Sequence, residues 1–275
     1  MTKNTIAYFL AEDLGKKGDI TSTALFHTEQ GTGQIFAKQN CIVAGIREIE
    51  KVFRFVRCDF HAQVTDGTAI NKGCIVATVS GSALSLLKAE RLALNILGRM
   101  SGIASATHEV VVQAQRINPH VQIAATRKTT PGFRRYEKNA VEIGGGFPHR
   151  YGLFDAIIIK DNHLNISGSL EETVQKIRKK YPKRKIEIEV ENPKDALRAA
   201  HCGVEIIMLD NFSVQKAAET AKKLRSINPQ IFIEISGRIT KKNIEKYAPF
   251  ADRISLGCLT HSIQNKDFSM KIWKK

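Results

Sequence analysis

Between Thr126 and His163 the chain reads TRKTTPGFRRYEKNAVEIGGGFPHRYGLFDAIIIKDNH. Two basic clusters, Arg127-Lys128 and His149-Arg150, flank three glycines at Gly144 to Gly146, and an apolar run stops abruptly at Lys160-Asp161-Asn162-His163. Cations gathered beside glycine-rich backbone suit a multiply charged anion, because guanidinium groups clamp carboxylates or phosphates with paired hydrogen bonds. Arg127, Lys128, His149, Arg150 and Lys160 are therefore the candidate anion ligands.

Other chemistry lies downstream. Glu189 stands near the end of KIEIEV and Asp210 follows EIIML. On neighbouring strands the two could hold magnesium, which prefers one or two carboxylates plus substrate phosphates. Ser236-Gly237 follows IFIEI, and Gly257 ends RISLG ahead of Cys258-Leu259-Thr260-His261. At such positions bare backbone N–H groups can approach a phosphate. Anionic substrate, divalent metal and phosphate cradle together point to phosphoribosyl transfer. Each piece has a plain alternative. Arg127-Lys128 could be a surface loop, Gly144 to Gly146 a flexible connection, and Glu187, Glu189 and Glu191 a strand with one solvated face. It is the series that favours a site.

The elements that position these residues follow from periodicity. From residue 121, short apolar strands alternate with amphipathic helices. The strands are 121–125, 155–159, 185–190, 205–209, 231–235 and 253–257, with helices near 133–142, 169–180, 193–202, 213–226 and 240–248. Repeats of this length imply parallel strands with right-handed crossovers, closing fully or partly into a barrel. In such barrels the active site forms at the C-terminal strand ends, and all six strands supply polar or glycine residues there. Upstream, a helix at 5–14, strands within 31–45, a helix at 46–56 and further strands at 58–64 and 73–82 form a small α+β unit. A long helical stretch from Ser82 follows, with Ser101-Gly102 expected to break or kink it. Glu90 and Arg91 on that stretch read, by periodicity, as surface charges.

Composition sets outer limits. At 275 residues, 43% apolar and 25% charged, the chain suits one large α/β domain or a barrel with a smaller partner. No apolar run approaches the ~20 residues of a membrane span, and the N-terminus lacks the apolar core of a signal peptide. The expected compartment is cytoplasmic. Five scattered cysteines without a CxxC pair read as small buried hydrophobes in a reducing setting. The net charge of +15 lies mostly beyond residue 100, with seven cations in KIRKKYPKRK at 176–185. That run reads as a solvated helix end and turn. A nucleic-acid partner, which needs a continuous basic surface, is the remote alternative and is not expected. His27, His61, His108, His120 and His201 are taken as structural.

The motifs AEDLGKKGDIT, AERLALNILGRMSGIA, TRKTTPGFR, GGGFPHRYGL, IKDNH, EIEVENP, MLDNFS, EISG and SLGCLTHS, in this order along almost the whole chain, resemble the quinolinate phosphoribosyltransferase family of NAD biosynthesis. The resemblance implies an N-terminal α/β sandwich domain (1–104, with the interdomain helix) and a C-terminal open α/β barrel of six to seven strands (105–275). It also implies a homodimer in which Arg91 of one subunit completes the other's site. Arg127, His149, Arg150 and Lys160 would bind the quinolinate carboxylates, and Lys128 and Lys160 would face phosphoribosyl pyrophosphate. Glu189 and Asp210 would engage its ribose and Mg2+; Ser236, Gly237 and Gly257, with His261 nearby, would hold its 5-phosphate. Lys128, Lys160, Glu189 and Asp210 are the implied catalytic residues. Two positions depart from the pattern: Pro148 stands where asparagine is expected, and Arg238 where a second glycine is expected. A similar Pro-His-Arg occurs in a molybdenum-associated relative, so a different acid substrate is the alternative.

Overall fold

The computed structural model describes residues Met1–Lys275, which form two compact units, Met1–Ala106 with Ile263–Lys275, and Thr107–Ser262. In the first unit, α1 (Lys3–Leu14) and α2 (Ile20–Leu25) precede β1 (Gln30–Ala37), β2 (Cys41–Ile42), α3 (Ile46–Phe55), β3 (Asp59–Ala62), β4 (Ala69–Ile70) and β5 (Ile75–Ser82). The long α4 (Ala83–Gln115) leads into the second unit. There β6 (Gln122–Ala124), α5 (Arg134–Ile143), β7 (Ile157–Ile159), α6 (Asp161–Ser167), α7 (Leu170–Lys180), β8 (Ile186–Val190) and α8 (Pro193–His201) come first. They are followed by β9 (Ile206–Asp210), α9 (Val214–Ile227), β10 (Phe232–Ser236), α10 (Ile244–Tyr247), a 3-10 turn (Ala248–Phe250), β11 (Arg253–Ser255) and α11 (Cys258–His261). The chain then returns to the first unit as β12 (Phe268–Lys274).

The first unit carries a four-stranded sheet ordered β12-β1-β5-β3, with antiparallel pairing throughout. Its last strand is absent from the expected elements, because pairing of Gly31 with Lys274 and Ala37 with Phe268 is a long-range event without a local signature. α3 packs Ile46, Ile49, Val52 and Phe53 inward, the spacing of an amphipathic helix.

The expected break at Ser101-Gly102 does not occur; α4 runs unbroken from Ala83 to Gln115. The two small residues serve packing instead. Ser101 Oγ donates to the Ala44 carbonyl (3.2 Å) and accepts from the Ala44 N–H (3.0 Å). A Cβ on Gly102 would stand 2.4 Å from the Gln264 carbonyl oxygen. A serine–glycine pair at a helix surface can mark close approach of another segment as readily as a kink.

The second unit is a six-stranded parallel sheet ordered β6-β11-β10-β9-β8-β7. Phe147 adds one parallel bridge to Ala124 outside β6. The result is an open (β/α) barrel. One strand face is apolar and buried under the helices, with Ile186, Ile188, Ile207, Leu209, Ile233, Ile235 and Ile254. The helices start where side chains satisfy their first N–H groups: Ser169 for α7, Asn192 followed by Pro193 for α8, and Ser213 for α9. Each such cap contributes about 1 kcal/mol. The expected helix at 240–248 forms only over Ile244–Tyr247, continued by the 3-10 turn, and α6 is an additional short helix.

Two smaller expectations change. Of the five cysteines, all free, only Cys41 and Cys58 are buried; the other three are partly exposed. Within the basic run, Arg178 pairs with Glu205 and donates to the carbonyls of Arg184 and Gly203, and Arg184 donates to the Asp155 carbonyl. No helix is long and apolar enough to cross a membrane.

Candidate active site

Register places the chemistry. On the face opposite the apolar layer, Gln122, Arg253, Glu234, Met208 and Glu189 fall in one row across β6, β11, β10, β9 and β8. One step nearer the C-terminal ends, Ala124 pairs with Ser255, and Ser236 with Asp210. Above them opens a cavity of about 550 Å³ lined by Arg127, Lys128, His149, Arg150, Lys160, Glu189, Asp210, Glu234, Ser236 and Ser255, among others.

One wall is cationic. Arg127 and Lys128 follow β6, in a loop where Lys128 N–H bonds the Thr126 hydroxyl (3.1 Å). Arg150 donates through Nη1 to the Ala156 carbonyl at 3.1 Å. Burial and the neighbouring Arg127 charge push Arg150 below its ordinary value, yet arginine starts so high that it stays cationic. Two like charges held close together favour an anionic ligand. Lys160 ends β7, and its Nζ donates to Glu189 Oε2. Its N–H donates to His163 Nδ1 (2.9 Å), so the IKDNH turn fixes the lysine's backbone.

The floor is different. Glu234, 0% exposed, accepts from Ser255 Oγ and from Arg253 Nη1 (3.0 Å), and His149 Nε2 lies 3.3 Å from its Oε2. Burial works against the carboxylate, but the bonds from His149 and Ser255 and the Arg253 charge outweigh it and hold Glu234 below the usual range. Arg253 is stacked between Phe147 and Phe232, 4.5 and 4.7 Å from the ring centroids, and bonds Gln122. Glu187, 3% exposed, lies 3.7 Å from His149 Nε2. Burial, reinforced by Glu234, pushes its carboxyl up to about 9, so it carries its proton at neutral pH. The plain alternative of a solvated glutamate face therefore fails at Glu187, and of the three only Glu191 is exposed.

His149 sits at φ 54, a conformation that costs a residue with a Cβ about 1–2 kcal/mol. Its neighbours are pinned on both sides. Buried Lys138 donates to the Pro148 carbonyl, and Arg134 Nη1 donates to the Tyr151 carbonyl (3.1 Å). Burial, with Arg134 nearby, lowers the Lys138 ammonium to about 8.

Opposite the cations, Asp210 Oδ2 accepts from Asn211 Nδ2 (2.6 Å). Gly237 follows Ser236 at φ 87, and a Cβ there would stand 2.4 Å from Asn211 Oδ1. A Cβ on Gly257 would meet the His261 ring at 3.0 Å and Lys128 Cδ at 3.1 Å. At Gly237 only backbone fits, while at Gly257 a side chain would have to displace His261 or Lys128.

The C-terminal domain of quinolinate phosphoribosyl transferase matches residues 103–271 and its N-terminal domain matches residues 19–101. The chain belongs to the quinolinate phosphoribosyl transferase family. A probable nicotinate-nucleotide pyrophosphorylase (carboxylating) of Archaeoglobus fulgidus is 42% identical over 258 residues, 93% of this chain and 98% of its own length. The human nicotinate-nucleotide pyrophosphorylase (carboxylating) is 36% identical over 243 residues, 88% and 82% of the two chains. The crystal structure of nicotinate-nucleotide pyrophosphorylase from Ehrlichia chaffeensis superposes with a TM-score of 0.93 at 34% identity, covering 99% of each chain.

For this member of the quinolinate phosphoribosyl transferase family, the cavity gathers Arg127, Lys128, His149, Arg150, Lys160, Glu189, Asp210 and Ser236. Gly237, Gly257 and His261 do not line it; Gly257 adjoins both His261 and the Lys128 side chain. Arg91 is an exposed residue of α4 and is not among the lining residues. Neither Pro148 nor Arg238 lines the cavity. Sequence reasoning missed Glu234, Arg253 and Ser255. The signal was present: a charge in the middle of an isoleucine-rich strand must be paired if that strand is buried on both faces.

Proposed function

We propose that this protein transfers the phosphoribosyl group of phosphoribosyl pyrophosphate to quinolinate, with loss of the 2-carboxylate, in NAD biosynthesis. This is the reverse of the carboxylating direction written into its relatives' names. The observation that carries the reading is the gathering of four cations (Arg127, Lys128, Arg150, Lys160) and two strand-end carboxylates (Glu189, Asp210) in one cavity, where Lys160 pairs with Glu189.

The pyridine nitrogen attacks the anomeric carbon and pyrophosphate leaves; the C2–carboxylate bond then breaks, carbon dioxide departs, and C2 takes up a proton to give nicotinate mononucleotide. Arg127, His149, Arg150 and Lys160 hold the dicarboxylate, and Lys128 and Lys160 meet the leaving pyrophosphate. Prepositioned cations of this kind lower the barrier by orientation and by stabilising developing charge. Glu189 and Asp210 line the same cavity as hard oxygen donors, which fits magnesium shared with substrate phosphates. When bound there, the ion neutralises pyrophosphate charge. Ser236, Gly237 and Gly257, with His261 nearby, form the proposed 5-phosphate cradle.

The proposal includes a homodimer in which Arg91 reaches the partner's cavity; its exposure on α4 and its absence from the cavity lining support this. Cytoplasm is the proposed compartment, which suits five unpaired cysteines. The division of the sequence at 104/105 is kept as the proposed domain boundary, with Ile263–Lys275 belonging to the first compact unit. Purified protein given quinolinate, phosphoribosyl pyrophosphate and magnesium should release pyrophosphate and carbon dioxide in equal amounts. No product would sink the reading, and turnover of another pyridine acid alone would favour the molybdenum-associated alternative.

A further inference from the structure

We infer that Arg134, the first residue of α5, is a positioning residue: its guanidinium ties the loop carrying Arg127 and Lys128 to the turn carrying His149 and Arg150. It thereby sets the spacing of the two cationic clusters. The inference rests on the quinolinate reading of this cavity and adds a residue that acts on it from outside.

The two cationic segments run side by side beyond the C-terminal end of β6. At their base the tie is backbone only: Phe147 bridges Ala124, and its carbonyl accepts from the Ala125 N–H at 3.0 Å. Past that bridge neither segment continues as a strand. Arg134 supplies the next tie. Its Nε donates to Thr129 Oγ1 (2.9 Å) and its Nη1 to the Tyr151 carbonyl (3.1 Å), while Nη2 reaches the Arg127 carbonyl at 3.5 Å. Arg127, Lys128, His149 and Arg150 thus belong to segments joined by backbone at one end and by a guanidinium at the other. A planar fork with donors on three nitrogens can meet three acceptors on two segments at once; a lysine offers one nitrogen.

α5 supports the tie. Arg134 is followed at three, four and eight residues by Glu137, Lys138 and Glu142, the spacing that places side chains on one helix face. Glu137, 0% exposed, accepts from the Thr130 N–H (3.0 Å) and hydroxyl (2.8 Å). Lys138 donates to the Pro148 carbonyl, and its ammonium lies 5.5 Å from the centroid of the Tyr151 ring. Glu142 accepts from the Tyr151 hydroxyl at 3.1 Å. Where Glu137 grips one segment and Lys138 the other, Arg134 grips both. Arg134 is half-buried and is not among the residues lining the cavity, so it acts through the segments it joins. Cations brought close together repel one another, and a frame that holds them in place beforehand lowers the cost of ordering them when an anion binds.

Two substitutions separate charge from geometry. Arg134→Lys keeps the cation and gives up the three-point tie; Arg134→Gln gives up both. The expected result is a quinolinate KM about tenfold above wild type in each, with kcat falling less. Added to an Arg150→Lys protein, Arg134→Lys should cost no more than roughly a further threefold in kcat/KM, because residues that act through one another are not additive. A wild-type KM in Arg134→Lys would mean that only charge matters, and overturns the inference. So does an undiminished tenfold loss in the double variant, or a lowered melting temperature with KM unchanged. Should the variants fail to fold, the Arg134 Nε–H signal in nitrogen–proton spectra of the wild-type protein decides. Slow exchange with solvent is expected, with and without quinolinate; a fast-exchanging signal overturns the tie. Absence of quinolinate turnover by wild type defeats the functional reading instead, and leaves the signal of the free protein to judge the tie.

Discussion

The wall and the floor of one cavity use charge in opposite ways. On the wall, Arg127, Lys128 and Arg150 crowd together, with Glu189 and Asp155 only partly offsetting Arg150, and the Lys160 side chain, paired with Glu189, is 40% exposed. On the floor, Arg253, Glu234, Ser255 and His149 satisfy one another, and Glu187 avoids a second buried charge by keeping its proton. An exposed cation costs little and gains most when an anion arrives; a buried ion must be paired from the moment the chain folds. The wall is thus built for ligands and the floor for rigidity, although the two are only one or two strand positions apart.

The comparison breaks most sharply at Lys160. Lys160→Ala should reduce turnover by about a thousandfold or more, the scale at which preorganised charge acts, while leaving thermal stability near wild type. Arg91→Ala should be similarly inactive. Mixing the two inactive proteins should restore some activity, and an inactive mixture with demonstrated subunit exchange would contradict the shared site.

On the floor the loss should appear in folding. Glu234→Ala leaves the Arg253 guanidinium buried without its carboxylate, and should cost about 3–5 kcal/mol in denaturant unfolding. A stable but inactive Glu234→Ala protein would put this residue with the wall.

Glu187 makes a pH-dependent test. Its folded value of about 9 lies above the ordinary 4.5, so the folded chain keeps a proton that the unfolded chain has released. Its contribution is complete below the unfolded value and is lost progressively as pH rises towards 9, at up to about 1.4 kcal/mol per pH unit. Glu187→Gln removes that slope. The variant's melting temperature, relative to wild type, should climb between pH 5 and pH 8.5; parallel curves would show that Glu187 is already ionised. Smallest of all, Ser213→Ala, away from both regions, should cost about 1 kcal/mol through the lost α9 cap, with no change in KM.

Much of the wall was legible from sequence because its residues follow strands directly. Arg127 and Lys128 after β6, Lys160 after β7 and Asp210 at the end of β9 are placed by chain direction alone, since parallel strands deliver their C-terminal ends to one side. The floor was not legible in the same way. Glu187, Glu234 and Arg253 are separated by many residues in sequence, and only strand order and register set Arg253 beside Glu234.

By itself, then, the sequence determined the strand–helix alternation, the polarity of the strand ends and the family motifs, because these depend on local periodicity and residue type. Tertiary structure alone decided that β12 joins β1, that Ser101-Gly102 packs rather than kinks, that Glu187 is a neutral acid, and that His149 lies beside Glu234. Each of those depends on which distant backbone or charge comes within a few ångströms, and hydrogen bonding and dielectric screening are set at that range.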